Sequence, residues 1–136
     1  MVVIQAVYEG GLHCRVTHGP SGQEFRTDAP TDNGGEGKMF SPTDLVAAAL
    51  GSCILTVMGI VAARHQIPLE GAAARVVKEM VSSPSRRIGR LAVTVTFPRS
   101  YPDPQRTLLE RAAKTCPVHH SLHPETDVPI TFAYPA

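Results

Sequence analysis

The sequence predicts an α+β fold, and three observations predict it. Short runs of alternating apolar and polar residues, separated by Gly- and Pro-containing turns, occupy the first thirty residues, the segment 70–98 and the C-terminus. One long uncharged segment, 45–63, divides the first group of strands from the second. The segment 105–115 (QRTLLERAAKT) has the spacing of a short amphipathic helix. Most strands follow one another through short turns, so the expected sheet is antiparallel with helices on one face. A length of 136 residues fits a single domain, 1–136.

The elements follow in order. Residues 2–9 (VVIQAVYE) read as a strand, Gly10-Gly11 as a turn, and 12–18 (LHCRVTH) as a second strand. Gly19-Pro20-Ser21-Gly22 turns the chain into a third strand, 23–28. Residues 29–40, with Pro30, Asp32, Asn33, Gly34, Gly35 and Gly37, read as a long loop and hence as a candidate for function or mobility. Ser41-Pro42-Thr43-Asp44 suits a helix start: Ser41 as N-cap, Pro42 at the first position, Asp44 closing a capping box. That helix should run to about His65, before Pro68. Strands are expected at 70–82 and 86–98, the second with Leu91, Val93, Val95 and Phe97 on one face. After the helix 105–115, Cys116-Pro117 interrupts it and VHHSL adds about one further turn. A last strand carries Val128, Ile130, Phe132 and Tyr134 on one face, completing the order βββ-α-ββ-α-α-β.

Composition narrows the function classes. Hydrophobic residues make up 43% and charged residues 18%, which excludes a disordered tail. A net charge of +1 gives no reason to expect nucleic acid, and Arg86, Arg87 and Arg90, the densest basic cluster, read as a solvated strand or turn. The cysteines at 14, 53 and 116 are odd in number and form no CxxC, so neither a secreted disulfide framework nor a zinc ribbon is expected. The N-terminal MVVIQAVYEGG has no basic leader, and a reducing, cytoplasmic compartment is expected. The nineteen uncharged residues 45–63 approach the length of a membrane span, about 20 residues. They are diluted by Ala, Gly, Ser, Thr and Cys, and a buried helix with no membrane is the preferred reading. Apolar residues, Ile54, Val57, Met58 and Val61 among them, are read as not confined to one stripe. A helix apolar all round must be covered all round, and one sheet covers one side. The expected second cover is another copy of the chain, in a homodimer.

Three residue groups carry possible chemistry. Cys53, inside the apolar helix, reads by itself as a core residue. Cys116, ahead of Pro117, suits the N-cap of the last short helix, where backbone N–H groups favour thiolate; it reads equally as a helix-breaking loop residue. His119, His120 and His123 make half of a metal-ligand pattern with Cys116, and read better as a polar rim. Cys14 reads as structural.

FSPTDLVAAALGSCILTV resembles the first cysteine helix of the OsmC/Ohr superfamily, and KTCPVHHSL resembles that family's second motif, Cys-Pro-Val before the last strand. The order of elements is similar across essentially the whole chain. The resemblance implies an OsmC-like fold, an intertwined homodimer and two sites at the subunit interface. It implies a peroxidatic Cys53 and a resolving Cys116: a hydroperoxide becomes an alcohol, Cys53 a sulfenic acid, and the two cysteines a disulfide. A dithiol, in one branch a lipoylated protein, then restores them; no metal and no bound cofactor is needed. In the peroxidase branches an Arg and a Glu activate the first cysteine. The Glu position is occupied here by Thr43, followed by Asp44, and the nearest candidates for the Arg are Arg15 and Arg26. The implied catalytic set is therefore Cys53, Cys116, Arg15 and Asp44, with Thr43, Met58 and Arg26 against the substrate. The competing reading is a non-enzymatic module that binds a small apolar or electrophilic ligand at the dimer interface.

Overall fold

The structure is a computed structural model that describes residues 1–136. Its elements are β1 (Ile4–Gly10), β2 (His13–His18), β3 (Glu24–Thr27), α1 (Pro42–Arg64), β4 (Ala73–Val81), β5 (Arg87–Thr96), α2 (Asp103–Ala113), α3 (Pro117–His120) and β6 (Ile130–Ala133). This is the expected order, and the fold is α+β. The strands form two three-stranded sheets, β1-β2-β3 and β4-β5-β6. The chain divides into two compact units, Met1–Val46 and Ala47–Ala136.

In the first unit β1, β2 and β3 form an antiparallel meander. Side chains alternate across it. One face carries Glu9, Arg15, Glu24 and Arg26; the other carries Ile4, Ala6, Tyr8, Cys14, Val16 and Phe25. The apolar face is open: Ile4, Tyr8 and Phe25 are all exposed. The buried residues of this unit are Thr27, Asp28 and Ser41, none of them apolar.

The 29–40 segment is not a slack loop. Asp28 is 1% exposed and its Oδ2 accepts the N–H groups of Glu36 (3.1 Å) and Lys38 (3.5 Å), while its own N–H donates to the Phe40 carbonyl (3.1 Å). Carboxylate-to-backbone bonds of this kind fold a turn onto itself. Gly35 has no alternative, because a Cβ there would sit 1.7 Å from the Ala29 carbonyl oxygen. The capping box forms as expected: the Asp44 N–H donates to Ser41 Oγ (3.1 Å), and the Ser41 N–H donates to Asp44 Oδ2 (2.9 Å).

The second unit holds the hydrophobic core. Leu91, Val93, Val95 and Phe97 of β5 and its end are at most 2% exposed, on the single face that the alternation predicts. Leu50, Ile54 and Met58 of α1 and Leu109 of α2 are fully buried with them. Gly51 lets α1 approach β4 closely, since a Cβ there would lie 3.1 Å from Val76 Cγ2. At 100° per residue the buried positions 47, 50, 51, 54, 58 and 62 form one stripe. Ile54, Val57, Met58 and Val61 fall on or beside that stripe, so they do not encircle the helix as expected from the sequence. The uncovered apolar surface of α1 is carried instead by Ala48, Ala49, Ile60 and Ala63. By length and composition α1 is also apolar enough to cross a membrane, and 33% of its most apolar stretch is buried.

The sheet of this unit is not wholly antiparallel. β4 and β5 are antiparallel, but β6 runs parallel to β5. The connection between β5 and β6 contains α2 and α3, and such a crossover returns the chain to the same end of the sheet. Around the end of β5, Phe97 stacks on Tyr134 (centroids 4.6 Å apart), and the Arg106 guanidinium of α2 lies 4.0 Å above the Tyr134 ring.

Two substitutions test this account of packing and capping. Leu50→Ala is expected to cost about 2–5 kcal/mol, as a large-to-small change at a fully buried site. Ser41→Ala is expected to cost about 1 kcal/mol through the lost cap. Urea unfolding monitored by circular dichroism measures both.

Candidate active site

The second unit brings two sulfurs together. Cys53 lies mid-way along α1, two residues after Gly51, where the helix is held closest to β4. Cys116 arrives from another part of the chain. The small buried residues Ala112 and Ala113 seat the end of α2 in the core, and Pro117, which has no N–H, stops the helix from continuing. Cys116 therefore adopts an extended backbone (φ −61°, ψ 120°), as residues before proline do, and caps α3. The Cys53 thiol is near enough to Cys116 to act on its proton affinity, and neither belongs to a disulfide.

The two thiols differ in exposure. Cys116 is 0% exposed, whereas Cys53 retains part of its surface. The Cys116 Sγ accepts the His119 N–H at 3.4 Å, as expected for an N-cap. Its electrostatics run against the local reading of the sequence, however. Burial pushes the Cys116 thiol up from the ordinary value, and the neighbouring Cys53 thiol pushes it further; the N–H groups of His119 and Val118 pull it down by less. The site is buried enough that desolvation of a thiolate outweighs the helix N-terminus. Cys116 is thus held as a thiol rather than primed as a thiolate.

The other candidate residues are placed as follows. Arg15 and Arg26 are direct cross-strand neighbours on β2 and β3 of the first unit. The Arg26 Nε donates to Glu9 Oε1 at 2.9 Å; the Arg15 Nε lies 4.0 Å from carboxylate oxygens of both Glu9 and Glu24 and is buried without a hydrogen bond. Asp44 closes the capping box, and Thr43 Oγ1 is 3.3 Å from Ser41 Oγ. Met58 is 0% exposed and belongs to the core. Cys14 is half-buried on the apolar face of β2. No three His, Cys, Asp or Glu side chains converge as metal ligands, so His119, His120, His123 and Cys116 do not gather into a metal centre. His119 is partly exposed, but its ring Nδ1 is buried without a partner. A cleft of about 340 Å³ between α1 and the start of β4, lined by Leu55, Gly59, Ile67 and Glu70, includes neither Cys53 nor Cys116.

An α+β chain with two such strand groups, one long apolar helix and two neighbouring free thiols has the features of a class, that of two-cysteine OsmC-like proteins. The chain belongs to the OsmC family: the family model described as OsmC-like protein matches residues 35–131. A crystal structure from Psychrobacter arcticus, described as that of an osmotic stress induced and detoxification response protein, is similar at 38% identity and TM-score 0.90, covering 97% of this chain and 96% of that one. An organic hydroperoxide resistance protein of Legionella pneumophila shares the fold at 20% identity and TM-score 0.79, covering 98% and 96%. One of Elizabethkingia anophelis does so at 19% and 0.76, covering 99% and 96%. No curated protein matches the chain.

The raised thiol and tyrosine values make stability depend on pH with a definite sign. Burial raises Cys116, Tyr101 and Tyr134 above their ordinary values of 9.0, 10.0 and 10.0. In that window the unfolded chain releases protons that the folded chain keeps, so stability is fully present below pH 9.0 and falls as pH rises toward the folded values. Chemical unfolding at pH 8, 9 and 10 is expected to show a declining midpoint. Cys116→Ala should flatten the earlier part of the decline, and an unchanged profile in that variant contradicts the assignment.

Proposed function

We propose that this protein is a thiol-dependent peroxidase that reduces organic hydroperoxides to alcohols, and hydrogen peroxide to water, in defence against oxidative stress. The observation that carries the reading is the placing of two free thiols, one buried and one partly exposed, as neighbours in a single unit. Cys53 is the sulfur a substrate reaches, and attack on ROOH releases ROH and leaves a sulfenic acid. Cys116, kept protonated beside it, is the resolving thiol: it displaces water from the sulfenic acid and forms the disulfide. A dithiol such as a lipoylated protein then returns both sulfurs to the reduced state. Membership of the OsmC family, and the hydroperoxide resistance proteins that share the fold, support this choice of substrate class.

Arg15 is the better of the two arginines for an anion, because its buried Nε still lacks a hydrogen bond whereas that of Arg26 is engaged by Glu9. Asp44 contributes by fixing the start of the helix that carries Cys53. A homodimer in the cytoplasm completes the reading. A three-stranded sheet with an exposed apolar face and no buried apolar residue does not sustain itself in water, and the uncovered Ile60 side of α1 has the same need. A second copy of the chain supplies apolar surface for both.

One equivalent of cumene hydroperoxide added to reduced protein is expected to remove two free thiols per chain, with a peptide map linking Cys53 to Cys116. Cys53→Ser should abolish the loss, and Arg15→Ala should slow it more than Arg26→Ala. A thiol titre unchanged over minutes in excess peroxide rules out the enzyme. If Cys53→Ser also leaves ligand binding intact, a binding module is favoured.

A further inference from the structure

Closing the disulfide requires the Cys116 proton to leave, and the structure puts that sulfur in a difficult place. It is fully buried, and burial together with the neighbouring Cys53 thiol keeps it protonated. The groups that act on its proton are the Cys53 thiol and the backbone N–H groups of His119 and Val118. None of these takes a proton away from it in a productive direction, since the N–H groups are donors and Cys53 is the sulfur under attack.

One residue bonded to it through the backbone has an unused ring atom, which makes no hydrogen bond to the sulfur in the reduced chain and must turn toward it to act. His119 donates its N–H to the Cys116 Sγ at 3.4 Å, and its ring Nδ1 is buried with no hydrogen-bond partner. Cys116 is the N-cap of α3 and His119 the third residue after it. Side chains at that third position lean back over the cap residue, which is the geometry of a capping box. Buried polar atoms are ordinarily paired, and an exception in a native fold calls for a reason. The adjacent ring of His120 is on an exposed residue.

We propose that the imidazole of His119 is the proton acceptor for the resolving thiol. The step rests on the peroxidase reading for its oxidant and balances as follows. Cys53–SOH and HS–Cys116 give the disulfide and water. The S–O bond of Cys53 and the S–H bond of Cys116 break, and the S–S bond forms. The Cys116 sulfur is oxidised and the sulfenic sulfur reduced. The thiol proton passes to His119 Nδ1 and from there to the departing hydroxide, which leaves as water.

The test separates the two sulfur steps and does not depend on peroxide. Ellman's reagent added to the reduced full-length chain carrying Cys14→Ser forms a mixed disulfide on Cys53, releasing one thionitrobenzoate; Cys116 then displaces a second. His119→Gln is expected to leave the first release within about two-fold and to slow the second about 100-fold, the lower end of what a positioned proton-transfer group contributes. Added imidazole should restore the second release in proportion to its concentration. His119→Asn should behave alike, and His120→Gln should match the unsubstituted protein. A second release at the original rate in both His119 variants overturns the proposal. So does slowing without imidazole rescue, or equal slowing in His120→Gln, because each marks a merely structural effect. If ring closure with Ellman's reagent behaves as expected while cumene hydroperoxide consumes no thiols, the peroxidase reading fails and the role of His119 stands.

Discussion

Placing the Cys116 side chain in the core beside Cys53 is the constraint on which the second unit depends. Three segments must be fixed for it: α1, the buried end of α2, and the turn at Pro117 that makes Cys116 a cap instead of another helical residue. Each is fixed by a different force. Packing of Leu50, Ile54 and Met58 holds α1; close approach of Ala112 and Ala113 holds α2; and the missing proline N–H breaks the helix at one defined residue. The thiol pair is a by-product of these three placements meeting in one spot.

That meeting also decides which sulfur does what. A helix N-terminus and a low-dielectric interior pull a thiol in opposite directions. Two N–H groups reach Cys116, but it has lost contact with water altogether, and the loss is the larger effect. In the proposed reaction, a sulfur that stays protonated and hidden suits the second nucleophile, and a neighbour with some open surface suits the first.

The first unit is organised by charge and hydrogen bonding where the second is organised by packing. Its sheet has a charged face, on which Glu9 reaches both Arg15 and Arg26, and an apolar face that remains open. Isolated surface ion pairs of this kind contribute about 0–1 kcal/mol each, too little to replace a core. The buried Asp28 carboxylate gathers the following ten residues into a closed loop through the backbone N–H groups of Glu36 and Lys38. Such a unit is well defined locally while leaving apolar surface to be covered.

Local rules were readable from the residues. Alternation placed every strand to within a few positions, the Ser41–Asp44 box and Pro68 bounded α1, and Cys116-Pro117 marked the cap, because each depends on neighbours within a few residues along the chain. The parallel pairing of β6 was not readable, since a helical crossover and a chain of hairpins present similar alternating segments. The order within residues 29–40 and the unpartnered Nδ1 of His119 were likewise decided by what packs against them, whereas the arc of Val57 and Val61 on α1 follows from helix geometry alone. The state of Cys116 also needed the fold: its motif allowed a cysteine to cap a helix, but desolvation is a property of the surroundings, and only the folded chain supplies those.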